Sequence, residues 1–139
     1  IDLKTGAVAE RTLSEIPCDF TRVNDNFACY PTRYLYAGVF NTERPFTFDG
    51  IMKYDNDTGV TTEFQYGVNR HGGEAVFAPR TGTGSEDDGY LVCFIHDEAK
   101  KQSECLIIDA QNLSAGPVAT VIMPFRVPYG FHAGWVSGE

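Results

Sequence analysis

Apolar residues recur along this chain in short runs rather than at helical spacing. Residues 33–40, 46–54, 61–66, 75–78, 90–96, 104–109 and 118–123 are rich in β-branched and aromatic side chains and are bounded by Gly, Pro, Asn and Asp, the pattern of strands closed by turns. Only 98–102 has helical character, and a polar hairpin connection suits its spacing better. The predicted elements follow one another as strand after strand, and the fold class is all-β.

A short pattern repeats within that series. A hydrophobic residue and Asp, then a turn and a returning strand, occur at Ile1-Asp2-Leu3-Lys4-Thr5-Gly6-Ala7-Val8, at Tyr54-Asp55-Asn56-Asp57-Thr58-Gly59-Val60, and at Ile108-Asp109 with Gly116-Pro117-Val118 beyond. The aspartates lie 53 and 54 positions apart. Asp bonds its own backbone and Gly supplies positive φ, so each copy reads as the last hairpin of a four-stranded unit. A period of about 50 residues is that of propeller blades, which pack around a channel. The predicted fold is a partial β-propeller of roughly two and a half blades, with a β-sandwich carrying coincidental turns as the competing architecture. The chain begins at Ile1 already in a strand-like pattern, which reads as a fragment or a processed protein.

Composition narrows the partners. The 139 residues make one ordinary domain, 42% hydrophobic, with a net charge of −8 and a pI near 4.7. Such an acidic surface argues against nucleic acid and anionic membranes. No apolar run approaches the ~20 residues of a membrane span, and no signal-peptide pattern is present; a membrane contact would have to come through regions outside these residues. Cys18, Cys29, Cys93 and Cys105 show no C-x-x-C spacing, which leaves a zinc ribbon unsupported. Cys93 and Cys105 sit in apolar runs as small buried hydrophobes. A reduced, cytoplasmic protein is the favoured reading despite sequons at Asn56 and Asn112.

The candidate chemistry centres on Pro128-Tyr129-Gly130-Phe131-His132-Ala133-Gly134-Trp135. The flanking glycines allow unusual dihedrals and close approach, while the aromatics exclude water from the imidazole. His132 reads equally as a metal ligand or as a core histidine bonded to a carbonyl. In a propeller it acquires a place near the axis, where blades can each supply one imidazole. His71, before Gly72-Gly73, reads as a solvated loop residue, and His96 as a surface hairpin residue. Asp55-Asn56-Asp57-Thr58-Gly59 begins like a calcium loop, but Tyr66 stands where a bidentate glutamate is needed. Glu86-Asp87-Asp88-Gly89 reads as a surface turn. Phe125, Tyr129, Phe131 and Trp135 either line a tunnel for an apolar substrate or pack between blades.

Several ordered motifs then carry a resemblance. Gly72-Gly73-Glu74-Ala75-Val76-Phe77-Ala78-Pro79-Arg80, Glu86-Asp87-Asp88-Gly89-Tyr90-Leu91-Val92, Ser103-Glu104-Cys105-Leu106-Ile107-Ile108-Asp109-Ala110, Pro117-Val118-Ala119 and Arg126-Val127-Pro128-Tyr129-Gly130-Phe131-His132 resemble the C-terminal part of the carotenoid cleavage dioxygenase family, stilbene-cleaving relatives included. Asp19-Phe20-Thr21-Arg22-Val23-Asn24 is similar to that family's Glu-Phe-Pro-Arg-Ile-Asn segment. The resemblance implies that residues 1–139 are the C-terminal portion of one seven-bladed propeller domain. It also implies non-haem Fe(2+) held by four histidines, and cleavage of a C=C bond of an apolar polyene or aryl-alkene by O2. His132 matches the most C-terminal ligand. Glu74 matches a glutamate that orients a ligand, although on its own it reads as a turn or edge carboxylate. Asp19 stands one methylene short of another such glutamate, and Ala133 replaces a glycine. Phe131 and Tyr129 are the substrate-tunnel candidates, Phe131 the nearer to the metal. His71 and His96 match none of the other three ligand motifs, so the fragment alone is expected to be metal-free and inactive. A non-catalytic propeller scaffold with an incomplete metal site is the alternative.

Overall fold

The computed structural model describes residues 1–44, 46–82 and 84–138. Strands β1 (Cys18–Arg22), β2 (Tyr34–Phe40), β3 (Phe48–Asp55) and β4 (Thr61–Gln65) pair antiparallel with their chain neighbours and form a four-stranded meander. A three-residue β5 (Arg70–Gly72) follows. Strands β6 (Val76–Pro79), β7 (Gly89–Asp97), β8 (Gln102–Asp109) and β9 (Pro117–Ile122) then repeat the meander. β5 pairs with both β3 and β7, which joins the nine strands of the described residues into one antiparallel sheet. Helical structure among the described residues is confined to two 3₁₀ turns, Asp25–Phe27 and Leu113–Ala115. None is long and apolar enough to cross a membrane.

The repeat seen in the sequence is physical. β2, β3 and β4 start at Tyr34, Phe48 and Thr61, and β7, β8 and β9 at Gly89, Gln102 and Pro117, offsets of 55, 54 and 56 positions. The turns match as well. Gly59 N–H donates to the Asp55 carbonyl at 2.8 Å and Asp55 N–H to the Val60 carbonyl at 3.0 Å, and Gly6 to Asp2 and Asp2 to Ala7 do the same at 2.8 and 2.9 Å. Gly6 and Gly59 share φ +72°, a backbone that L side chains adopt only at a cost. The Ile1–Val8 copy differs in one respect: it makes the turn but no strand, and Ile1 and Leu3 are exposed. Its residues after Gly6 pair with no strand among the described residues.

Alternation along the strands divides the apolar residues between faces. Tyr36, Phe48 and Ile51 from the first meander meet Phe77, Leu91, Cys93, Ile95, Leu106 and Ile108 from the second in the main core. On the reverse face of the first meander, Ala37, Val39, Met52 and Tyr54 are covered by Ile16, Cys18 and Leu35. The reverse face of the second is less covered. There Phe94, Cys105 and Val121 lie in register across β7, β8 and β9, with Phe94 43% and Val121 51% exposed.

Three sequence expectations need correction. His71 lies on β5, 7% exposed, with Nδ1 2.6 Å from Asp49 Oδ1, rather than in a solvated loop. His96, 4% exposed, faces Ser103 Oγ at 2.9 Å instead of the surface. The two are cross-strand partners in β5 and β7, so a strand pairing that local sequence does not reveal buries both. The acidic loop is an anchor and not a free surface turn. Glu86 accepts from the Arg33 and Tyr34 N–H groups at 2.9 Å, and Asp87 pairs with Lys53 Nζ at 2.8 Å.

Candidate functional site

Beyond β9 the chain runs back over the sheet as an extended strap, residues 123–135, in which Pro124 and Pro128 lack the N–H a ladder needs and Gly130 and Gly134 further weaken strand pairing. It is tied down point by point. Val127 N–H donates to Ser103 Oγ at 2.9 Å, and Tyr129 hydroxyl donates to Glu98 Oε1 at 2.6 Å. The Arg126 guanidinium lies 4.8 Å from the centre of the Tyr129 ring. At Gly73 the strap touches the sheet backbone to backbone: a Cβ there would stand 2.6 Å from the Gly130 carbonyl oxygen. Only glycine permits that approach.

The next residues of the strap carry His132. Glu74, in the loop between β5 and β6, is buried with its side chain 3% exposed. Its Oε1 accepts from Arg22 Nε at 2.7 Å, and its Oε2 accepts from Arg22 Nη2 at 3.2 Å and from Ala133 N–H at 2.6 Å. Arg22 Nη2 also donates to the Ala133 carbonyl. Hydrogen bonding to Glu74 holds the Arg22 guanidinium above its ordinary pKa. His132 Nδ1 is 3.6 Å from Glu74 Oε2, too long for a hydrogen bond. The ring itself is 74% exposed, with no partner for Nε2 among the described residues. One ring nitrogen therefore lies near a buried carboxylate, while the ring as a whole is largely open to solvent.

Aromatic rings frame that imidazole. Phe20, on β1 with φ 55°, sits 4.8 Å from the His132 ring and 6.0 Å from Phe131; Phe46 lies 5.8 Å from Phe131. A cavity of about 210 Å³ opens between Gly73, Glu74, Phe94, Val127, Phe131 and His132. A larger polar cavity of about 420 Å³, between Tyr34, Lys53, Asp87 and Gln111, shares no lining residue with it. There Lys53 is spent on Asp87 and on the Ala110 carbonyl, each at 2.8 Å, which marks a structural junction.

The structure brings His132, Glu74 and Phe131 together and sets the other candidates apart. Asp19 is exposed, and its Oδ1 accepts from the adjacent Phe20 N–H at 2.7 Å. Tyr129 is bonded to Glu98 and stands 6.5 Å edge-on to His71. Burial, then the Glu98 carboxylate, raises the Tyr129 pKa, and the same hydroxyl lowers that of Glu98. Glu74 is neither a turn nor an edge carboxylate. Arg22 and Phe20 went unassigned in the sequence, and the one signal for Arg22 is its place in the Asp19–Asn24 motif. Among the described residues no three His, Cys, Asp or Glu side chains gather into a metal-holding group.

Two antiparallel meanders joined into one sheet define an all-β protein built from a repeated blade-like unit. The sequence profile of the retinal pigment epithelial membrane protein family, RPE65, matches residues 1–137, and the chain belongs to that family. It is 39% identical over 156 aligned residues to the carotenoid 9,10(9',10')-cleavage dioxygenase of Crocus sativus, covering 99% of this chain and 28% of that protein. It is 31% identical over 138 residues to the apocarotenoid-15,15'-oxygenase of Synechocystis, with the same coverage. The crystal structure of Pseudomonas brassicacearum lignostilbene dioxygenase superposes with a TM-score of 0.89 at 27% identity, over 99% of this chain and 31% of that one. The chain thus spans about 28% of the length of the curated relatives it matches, and its all-β fold is that of the carotenoid oxygenase propellers.

Proposed function

We propose that these residues are the C-terminal portion of one seven-bladed propeller domain in a non-haem Fe(II) dioxygenase. The parent would cleave a C=C bond of a carotenoid, apocarotenoid or stilbene-type substrate with O2 into two carbonyl products. The observation that carries this reading is His132: an exposed imidazole whose Nδ1 lies 3.6 Å from the buried Glu74 carboxylate. A metal-ligating histidine characteristically has a carboxylate beside its other ring nitrogen, where a small closure of this gap would fix the tautomer and raise basicity. An all-imidazole set suits iron and leaves positions open. The remaining ligands come from elsewhere in the parent. The in-register Phe94, Cys105 and Val121 stripe supports this, since it offers a further blade an apolar face.

Iron, when bound, supplies the oxygen chemistry. The chain's own residues aim and enclose. Glu74 and the Gly73–Gly130 contact set the position of His132, and Phe20, Phe46 and Phe131 present apolar faces beside it that suit a planar conjugated chain. Asp19, exposed on β1, is available to an imidazole supplied from outside these residues. The test is turnover of the parent protein under ¹⁸O-labelled dioxygen with a carotenoid, an apocarotenoid and a hydroxystilbene. One labelled oxygen in each of the two carbonyl products of at least one substrate is expected. No cleavage of any, or label in one product only, contradicts the reading.

A further inference from the structure

Ala133 is held at both of its backbone groups. Its N–H donates to Glu74 Oε2 at 2.6 Å and its carbonyl accepts from Arg22 Nη2. The same guanidinium grips both Glu74 oxygens, at 2.7 and 3.2 Å. One arginine on β1 therefore closes a three-membered circuit through a buried carboxylate and the peptide that follows His132. We propose that Arg22 is a positioning residue for His132, acting through Glu74 and the Ala133 backbone. The inference rests on the reading of His132 as an iron ligand.

The physical case has two parts. The strap around His132 is flanked by Gly134, which places no side-chain restriction on the backbone, so the two peptide planes on either side of Ala133 need an external constraint. Fixing both Ala133 groups supplies it. Secondly, Glu74 is buried, and a buried carboxylate without a counter-ion would be strongly disfavoured. The Arg22 fork neutralises it while leaving Oε2 beside Nδ1. It also moderates how strongly Glu74 draws on the imidazole, and through it on the metal. A lysine offers one point charge and cannot span both oxygens and the carbonyl.

The experiment uses the parent protein with Arg22→Met, Arg22→Lys and, as reference, His132→Ala. Fe(II) affinity is measured by competition with a chromophoric chelator, the iron environment by EPR of the nitric oxide complex, and folding by thermal melting of the metal-free protein. Arg22→Met is expected to weaken Fe(II) binding about 10- to 100-fold and to alter the EPR line shape. Arg22→Lys is expected to recover part of the affinity. Wild-type affinity and line shape in Arg22→Met, with or without lowered melting, would overturn the proposal. Should Arg22→Met fail to fold, Arg22→Lys decides, and an unchanged affinity and line shape there overturns it equally. Undiminished affinity in His132→Ala would sink the ligand reading, and this proposal with it, whatever Arg22 does.

Discussion

The interface between the two meanders and the strap that carries His132 are held by different forces. At the interface, Ile51, Leu91, Leu106 and Ile108 are wholly buried and meet through side-chain packing. The strap is held by hydrogen bonds that it donates to Ser103, Glu98 and Glu74 and one that it accepts from Arg22, with one glycine contact. Burial is non-directional and scales with area, so it decides whether the sheet forms. Hydrogen bonds are short and angular, so they decide where an imidazole points. The difference separates stability from aim, and substitutions in the parent protein can test that separation.

The largest effect is expected from Ile51→Ala, which empties a site at the centre of the packed interface. A loss of about 2–5 kcal/mol in urea unfolding is expected, with the Fe(II) affinity of the folded fraction unchanged. A shift in that affinity would break the separation. Gly73→Ala is next, at about 1–3 kcal/mol, because its Cβ meets the Gly130 backbone at 2.6 Å, where no side chain can yield. Here iron retention should fall further than unfolding stability accounts for; retention that tracks stability alone would place the strap with the core.

The smallest effect is expected at the Lys53–Asp87 pair. Burial alone would raise the Asp87 pKa, but Lys53, Gln111 and Ser85 outweigh it and the net shift is downward. A lowered folded pKa means that the unfolded chain takes up the proton first. The stabilisation is thus complete above the ordinary value of 3.8 and is lost as pH falls below it. Asp87→Asn should cost about 1 kcal/mol at pH 7, flatten that acid limb, and leave iron binding intact. An unaltered limb would remove Asp87 from the stability of the sheet.

Particular residues show why the sequence revealed the scaffold more fully than the site. The Asp55–Gly59 turn is legible because its chemistry is local: one carboxylate, one positive-φ glycine and the intervening N–H groups. The long strands β2, β3, β7 and β8 announce themselves by apolar alternation. β1 and β5 do not, being short, interrupted by Phe20 at positive φ or ended by glycine. His71 and His96 were misread because their burial depends on each other's strand. Glu74 and Arg22 lie 52 positions apart, so their pairing has no local signature, and motif resemblance supplied Glu74 without its partner.

The most direct measurement is the iron content of the parent protein carrying His132→Ala, with its folding verified by circular dichroism. Loss of bound Fe(II) and of double-bond cleavage together is expected. One iron per chain, retained with a wild-type EPR signal of the nitric oxide complex, would contradict the assignment of His132 as a ligand.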